Sequence, residues 1–179
     1  MEIGFGGGEH LAAQAEANPN VGFIGCEPFL NGVAKLLNHI QQNDLLNIRI
    51  HDEDARDLIE LMPDSCLAAV YLLYPDPWPK KKHHKRRFVN PENLHHFHRL
   101  LQPGGMFYFA SDIPDYVSWA LVHIRDHGGF EWQARASADW QTPFAGWVRT
   151  RYEEKALVAG RTPTYLRFQH REHLRPGYL

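Results

Sequence analysis

Short β-rich runs recur along this chain, and the longer stretches between them carry helical period. The runs are "VGFIGC" (Val21 to Cys26), "LNIRI" (Leu46 to Ile50), "LAAVYLLY" (Leu67 to Tyr74) and "GMFYFA" (Gly105 to Ala110). The intervening periodicity predicts helices over Glu9 to Ala17, Pro28 to Gln41, Ala55 to Leu61, Pro91 to Leu101 and Asp115 to His127. Pro28 and Pro91 suit a first helical turn, where a missing N–H costs nothing, and Asn90 is a good N-cap. "LLQPGG" reads as a helix stop followed by a strand start. Strands that alternate with helices require right-handed crossovers, and so predict an α/β fold with a mainly parallel central sheet and helices on both faces. Ligands then sit at the C-terminal ends of the strands. Five polar or Gly/Pro-rich segments follow predicted strands: Gly4 to Gly8, Glu27, His51 to Asp54, Tyr74 to Pro79, and Ser111 with Asp112.

Composition narrows the setting. A chain of 179 residues with 44% hydrophobic and 22% charged residues is expected to form one domain over 1–179, and no repeat or linker divides it. No apolar run approaches the roughly 20 residues of a membrane span, and no signal-like leader is visible, so no membrane partner and a cytoplasmic location are expected. Cys26 and Cys66 lack CxxC or Cys/His spacing and read as small core residues. His95 and His98 fall one helical turn apart without an acidic or thiol partner. They read as histidines of an amphipathic helix, and no metal is expected.

"EIGFGGGEH" opens the chain. Gly4, Gly6 and Gly8 allow a tight turn after the first strand and close backbone approach to a ligand. A dinucleotide fingerprint would place glycine at position 9, where this chain has Glu9; that carboxylate and Glu2 both oppose a pyrophosphate. Glu27, ending the second strand, can accept both hydroxyls of a ribose. Asp54, after the third, can accept from the exocyclic amine of adenine. Taken singly, a glycine loop is only a loop and an acid only a cap. Together, at successive strand ends and without a phosphate grip, they describe S-adenosyl-L-methionine in a class I methyltransferase of Rossmann-like fold.

"LYPDPWPKKKHHKRRF" follows the fourth strand. Pro75, Pro77 and Pro79 restrict the backbone around Asp76, so a carboxylate is presented with little entropy left to lose. It can accept two hydrogen bonds from guanine N1–H and the exocyclic amine, leaving N7 on the opposite edge. N7 carries an in-plane lone pair and no proton, so its attack on a sulfonium methyl needs orientation rather than a general base. Trp78 can stack on an extruded base. The cations from Lys80 to Arg87 can neutralise backbone phosphates on a chain whose formal net charge is -2. In isolation such a run is as readily a solvated face.

"EIGFGGGEH", "PDPWPKKKHHKRRF", "SDIPDY" and "TRYEEKALVAGRTPTYLRF" together resemble the bacterial tRNA (guanine-N7)-methyltransferases of the TrmB type, over nearly the whole chain. The resemblance implies methylation of guanosine 46 in the tRNA variable loop, with S-adenosyl-L-methionine as donor and tRNA as partner. It implies that Glu2, Glu27, Asp54 and Asp76 contact the cofactor, that Asp76 is also catalytic, and that Lys80, Asp112 and Thr150, Arg151, Tyr152 and Glu153 contact the tRNA substrate. From chemistry alone Asp112 is equally a helix N-cap, and Glu153 equally the partner of Thr150 in a capping box or a carboxylate orienting Arg149 and Arg151. Family members carry a segment ahead of the glycine motif that this domain is expected to lack. Monomer and homodimer both remain open.

Three other readings compete. An amino methyltransferase acting on adenine or cytosine often uses an Asn/Asp-Pro-Pro-aromatic turn here, from which "PDPW" departs. A non-catalytic RNA-binding relative would keep the fold without the cofactor. A nicotinamide dehydrogenase is opposed by Glu9.

Overall fold

All four β-rich runs form strands in the computed structural model, which describes residues 1–172. In chain order the elements are β1 (Glu2–Ile3), α1 (Glu9–Ala17), β2 (Phe23–Cys26), α2 (Leu30–Gln42), β3 (Ile48–His51), α3 (Ala55–Leu61) and β4 (Leu67–Leu73). A 3-10 helix (Lys81–Arg86) is followed by α4 (Pro91–Leu100), β5 (Leu101–Ser111), α5 (Pro114–His127), β6 (Phe130–Trp132), α6 (Ala138–Gln141), α7 (Arg151–Val158) and β7 (Thr164–His170).

The sheet order is β3-β2-β1-β4-β5-β7-β6. Strands β1 to β5 pair in parallel, and β7 runs antiparallel between β5 and β6. Ile3 pairs with Cys26 and Leu72, Cys26 with His51, and Leu73 with Ala110. In this register the five parallel strands end level, and the segments beyond them meet along one edge.

Alternation along β4 shows why both faces need cover. Val70 and Leu72 pack in the cluster containing Ile59, Leu94, Phe97, Tyr116 and Ile124 of α3, α4 and α5. Tyr71 and Leu73 pack instead with Phe144, Trp147 and Tyr165. Leu11, Ala12 and Ala15 of α1 and Val33 and Leu36 of α2 form a third cluster with Phe5 and Ile48. Cys26 is buried and Cys66 half-buried, and both are free thiols; burial pushes the Cys26 thiol pKa up to about 12.

Asn90 caps α4 as expected, accepting from Asn93 N at 2.9 Å with Pro91 in the first turn. Pro28 is not helical. The Glu27 carboxylate takes the N–H of Phe29 at 3.0 Å, so Phe29 stays extended as the N-cap and α2 starts at Leu30. Helix α4 stops at Leu100, one residue before the expected end, and β5 starts at Leu101 rather than Gly105. The periodicity assigns nothing after α5, where the described residues form two strands and two helices. Among the described residues no helix is long and apolar enough to cross a membrane, and no group of three or more His, Cys, Asp or Glu could hold a metal ion.

Candidate active site

The glycine loop after β1 is braced from two sides. Gly4, Gly6 and Gly8 have φ of 68°, 59° and 79°, and Gly4 N donates to Cys26 O at 2.7 Å. The buried Glu27 carboxylate accepts from Gly6 N at 2.8 Å through one oxygen and from Phe29 N through the other. Each carboxylate oxygen retains a lone pair, so Glu27 can hold the loop and still accept from a ligand. Helix α2 presses on the same loop: a Cβ on Gly32 would stand 2.3 Å from Gly6 O. A Cβ on Gly4, by contrast, would meet nothing within 4 Å, so this side of the loop faces open space.

That space is a cleft of about 260 Å³ at the level strand ends. Gly4, Glu27, Asp54, Asp76, Trp78 and Tyr152 are among its lining residues. Asp54 N-caps α3, accepting from Arg56 N at 3.0 Å, and the hydrogen bond from the Arg56 guanidinium holds its carboxyl below the usual carboxylate range. It is ionised at neutral pH. Tyr152, from α7 late in the chain, lies over the loop: its Cε2 is 3.0 Å from where a Gly6 Cβ would stand.

Asp76 is exposed at the rim, within a turn whose backbone is unusual on both sides. Tyr74 and Trp78 have φ of 52° and 44°, a region that bulky residues rarely occupy. The Arg86 guanidinium lies 4.9 Å from the centre of the Trp78 ring, and His83 meets that ring edge-on. Lys80, Lys81, Lys82, Lys85 and Arg86 are exposed beside the turn and make the surface there positive.

Several expected site residues are placed otherwise. Glu2 does not line the cleft; it is 3% exposed and its carboxylate contacts Nδ1 of the buried His10 at 2.7 Å. Alternation in β1 sends Ile3 to the cleft and Glu2 to the α1 side. Asp112 is not a helix cap, because α5 starts at Pro114 after Ile113, and it is Ser111 Oγ that accepts from Ile113 N at 3.2 Å. Asp112 instead pairs with Arg161. Thr150 does cap α7, accepting from Glu153 N at 3.2 Å, but the carboxylate of Glu153 does not complete a capping box or orient Arg149 and Arg151. It is 2% exposed and accepts from Tyr165 Oη at 2.6 Å and Trp147 Nε1 at 2.7 Å. Of this stretch Arg151 and Tyr152 face outward. Burial pushes the Tyr74 and Tyr165 hydroxyl pKa values up, and the Glu153 carboxylate adds to both. Arg87 departs furthest from its reading as a phosphate anchor, being 0% exposed.

Sequence reasoning passes over Arg56 and Asn93, which also line the cleft, and gives no role to Tyr74, which lies there too as the start of the segment Tyr74 to Pro79. Tyr74 is visible as the last residue of a predicted strand, but nothing local marks its left-handed backbone.

A mostly parallel seven-stranded sheet with a glycine loop, a buried carboxylate after β2 and an open cleft at the strand ends defines the class I methyltransferase fold. The solved structure of a 16S rRNA methyltransferase, KamB, superimposes with a TM-score of 0.63 at 14% identity, covering 94% of this chain and 86% of that one. A family profile described as "Putative methyltransferase" matches residues 1–166. The tRNA (guanine-N(7)-)-methyltransferase of Agrobacterium fabrum is 57% identical over 168 residues, 94% of this chain and 72% of that protein. The protein of the same name from Rhizobium johnstonii is 56% identical over 169 residues, again 94% and 72%. This chain belongs to that methyltransferase family.

Proposed function

We propose that this protein transfers a methyl group from S-adenosyl-L-methionine to N7 of a guanosine in tRNA, guanosine 46 of the variable loop. The observation that carries the reading is that an exposed carboxylate, Asp76, lines the same cleft as the buried Glu27 and Gly4 of the glycine loop. The relatives' names supply the base and the nucleic acid.

The donor set fits a nucleoside with a cationic tail. Glu27 has lone pairs left for ribose hydroxyls, Asp54 is ionised beside the cleft, and the loop keeps its open side free of Cβ atoms. When bound, the cofactor supplies an electrophilic methyl group. Asp76 accepts from N1–H and the exocyclic amine of guanine and so turns N7 inward. N7 has no proton to lose, so orientation and exclusion of other geometries do the work. The rim cations, Lys80 first among them, hold the phosphates, Tyr152 lines the cleft toward the substrate with Arg151 exposed beside it, and Asp112, Thr150 and the buried Glu153 act by setting the segments around them rather than by touching RNA.

Labelled methyl transfer to unmodified tRNA, with nucleoside identification, tests this. Wild-type protein should form 7-methylguanosine, and a transcript lacking the variable-loop guanosine should not be methylated. Asp76→Asn should lower turnover by at least about a hundredfold with tRNA binding within about threefold of wild type. Tight tRNA binding without any transfer would replace the enzyme with a binding module.

A further inference from the structure

We infer, building on the methyltransferase reading, that Arg87 is a positioning residue: it holds the turn that carries Asp76 and does not bind RNA. The Asp76 carboxylate has no hydrogen-bond partner among the described residues, so its place is set by its backbone. That backbone is strained, since Tyr74 and Trp78 both occupy positive φ, a region bulky residues rarely adopt. Such conformations persist only where the surroundings over-determine them. Tyr74 is held by its N–H to Ala110 O at 2.8 Å, an extension of the β4–β5 ladder. Trp78 has no ladder to hold it.

Arg87 fills that role. The 3-10 helix turns its side chain inward, and Nε donates to Pro77 O at 2.9 Å. Pro77 O belongs to the peptide plane whose other side is Trp78 N, so fixing that oxygen fixes the plane from which the Trp78 φ is measured. The same guanidinium donates through Nη2 to Asp115 and lies 5.0 Å and 5.1 Å from the ring centres of Tyr116 and Trp119. These three residues form one face of the first turns of α5. They are tied in turn to the segment after Arg87, because Tyr116 Oη accepts from Val89 N at 3.3 Å and Trp119 Nε1 donates to Val89 O at 2.7 Å. Arg87 is therefore a rigid strut between α5 and the Asp76 turn. A lysine could not replace it, since one ammonium cannot present coplanar donors to two acceptors while stacking between two rings. A fully buried cation also has no phosphate to meet, unlike its exposed neighbours Lys81, Lys82, Lys85 and Arg86.

The test is Arg87→Lys, which keeps a charge beside Asp115. Its kcat should fall about 10- to 100-fold, while the KM for S-adenosyl-L-methionine, the tRNA Kd and the salt dependence of tRNA binding stay within about threefold of wild type. A kcat within twofold of wild type overturns the inference, as does weaker tRNA binding with a flatter salt dependence, the signature of a lost phosphate contact. Should Arg87→Lys not fold, Asp115→Asn removes the other anchor at an exposed position. It should lower kcat at least about fivefold with tRNA binding equal or tighter, and an unchanged kcat overturns the inference. If wild-type protein forms no 7-methylguanosine, the functional reading falls and a crystal structure of Arg87→Lys still decides: Trp78 leaving positive φ supports the strut, and Trp78 unchanged overturns it.

Discussion

At the scale of single residues, Glu27 does two things that only a carboxylate can do together. It fixes Gly6 and Phe29 through separate oxygens and keeps acceptor capacity for a ligand. Glu27→Gln turns one of those acceptors into a donor, which cannot receive an N–H. S-adenosyl-L-methionine Kd should rise at least about tenfold by calorimetric titration, and an unchanged Kd would remove Glu27 from the cofactor site. Glu27, Asp54 and Asp76 are legible in the sequence because each follows a strand, and a chain position next to a strand end translates directly into a place at the sheet edge. Glu2 reads in sequence as one more such acid. Which way it faces depends on pleat parity, and its partner His10 comes from the next helix. Arg87 is illegible for a related reason: eight polar residues in a row look alike until the 3-10 helix assigns each a direction.

At the scale of elements, α2 and the glycine loop are packed to contact. A Cβ on Gly32 would fall 2.3 Å from Gly6 O and 2.8 Å from Glu27 Cγ, both parts of the proposed cofactor site. Gly32→Ala should therefore lower Tm by several degrees and weaken S-adenosyl-L-methionine binding in the same variant. A loss of stability without loss of binding would mean that the loop has room to shift. The parallel elements are legible because hydrophobic runs and helical periods alternate without interruption as far as α5. Beyond it the signal fails for physical reasons. Strand β6 has three residues, two of them exposed. Strand β7 is covered on both faces at its start, so the adjacent Tyr165 and Leu166 are both buried and the expected alternation is broken.

At the scale of the whole molecule, acid should loosen the fold through a histidine cluster on the side of α5. His98 lies 5.5 Å from His127 and 4.4 Å from His170 by ring centres. Burial, with the neighbouring His98, lowers the His127 pKa from 6.5 to about 4, and its Nδ1 accepts from Gly129 N at 3.2 Å. The unfolded chain thus takes up this proton at a higher pH than the folded one. The contribution of a neutral His127 is present above pH 6.5 and is lost as the pH falls from there toward 4. Calorimetry across that window should show Tm falling with pH, and less steeply in His127→Phe; equal slopes would reject the assignment. The sheet order also bears on synthesis. Strand β7, late in the chain, is the wedge between β5 and β6, and α7 just before it brings Tyr152 over the first glycine loop. A nascent chain leaving the ribosome can pair β1 to β5 early, but the loop has no Tyr152 over it until α7 emerges, and β6 has no neighbour until β7 follows. The nascent protein therefore carries its glycine loop, open on one side, long before Tyr152 can close over it.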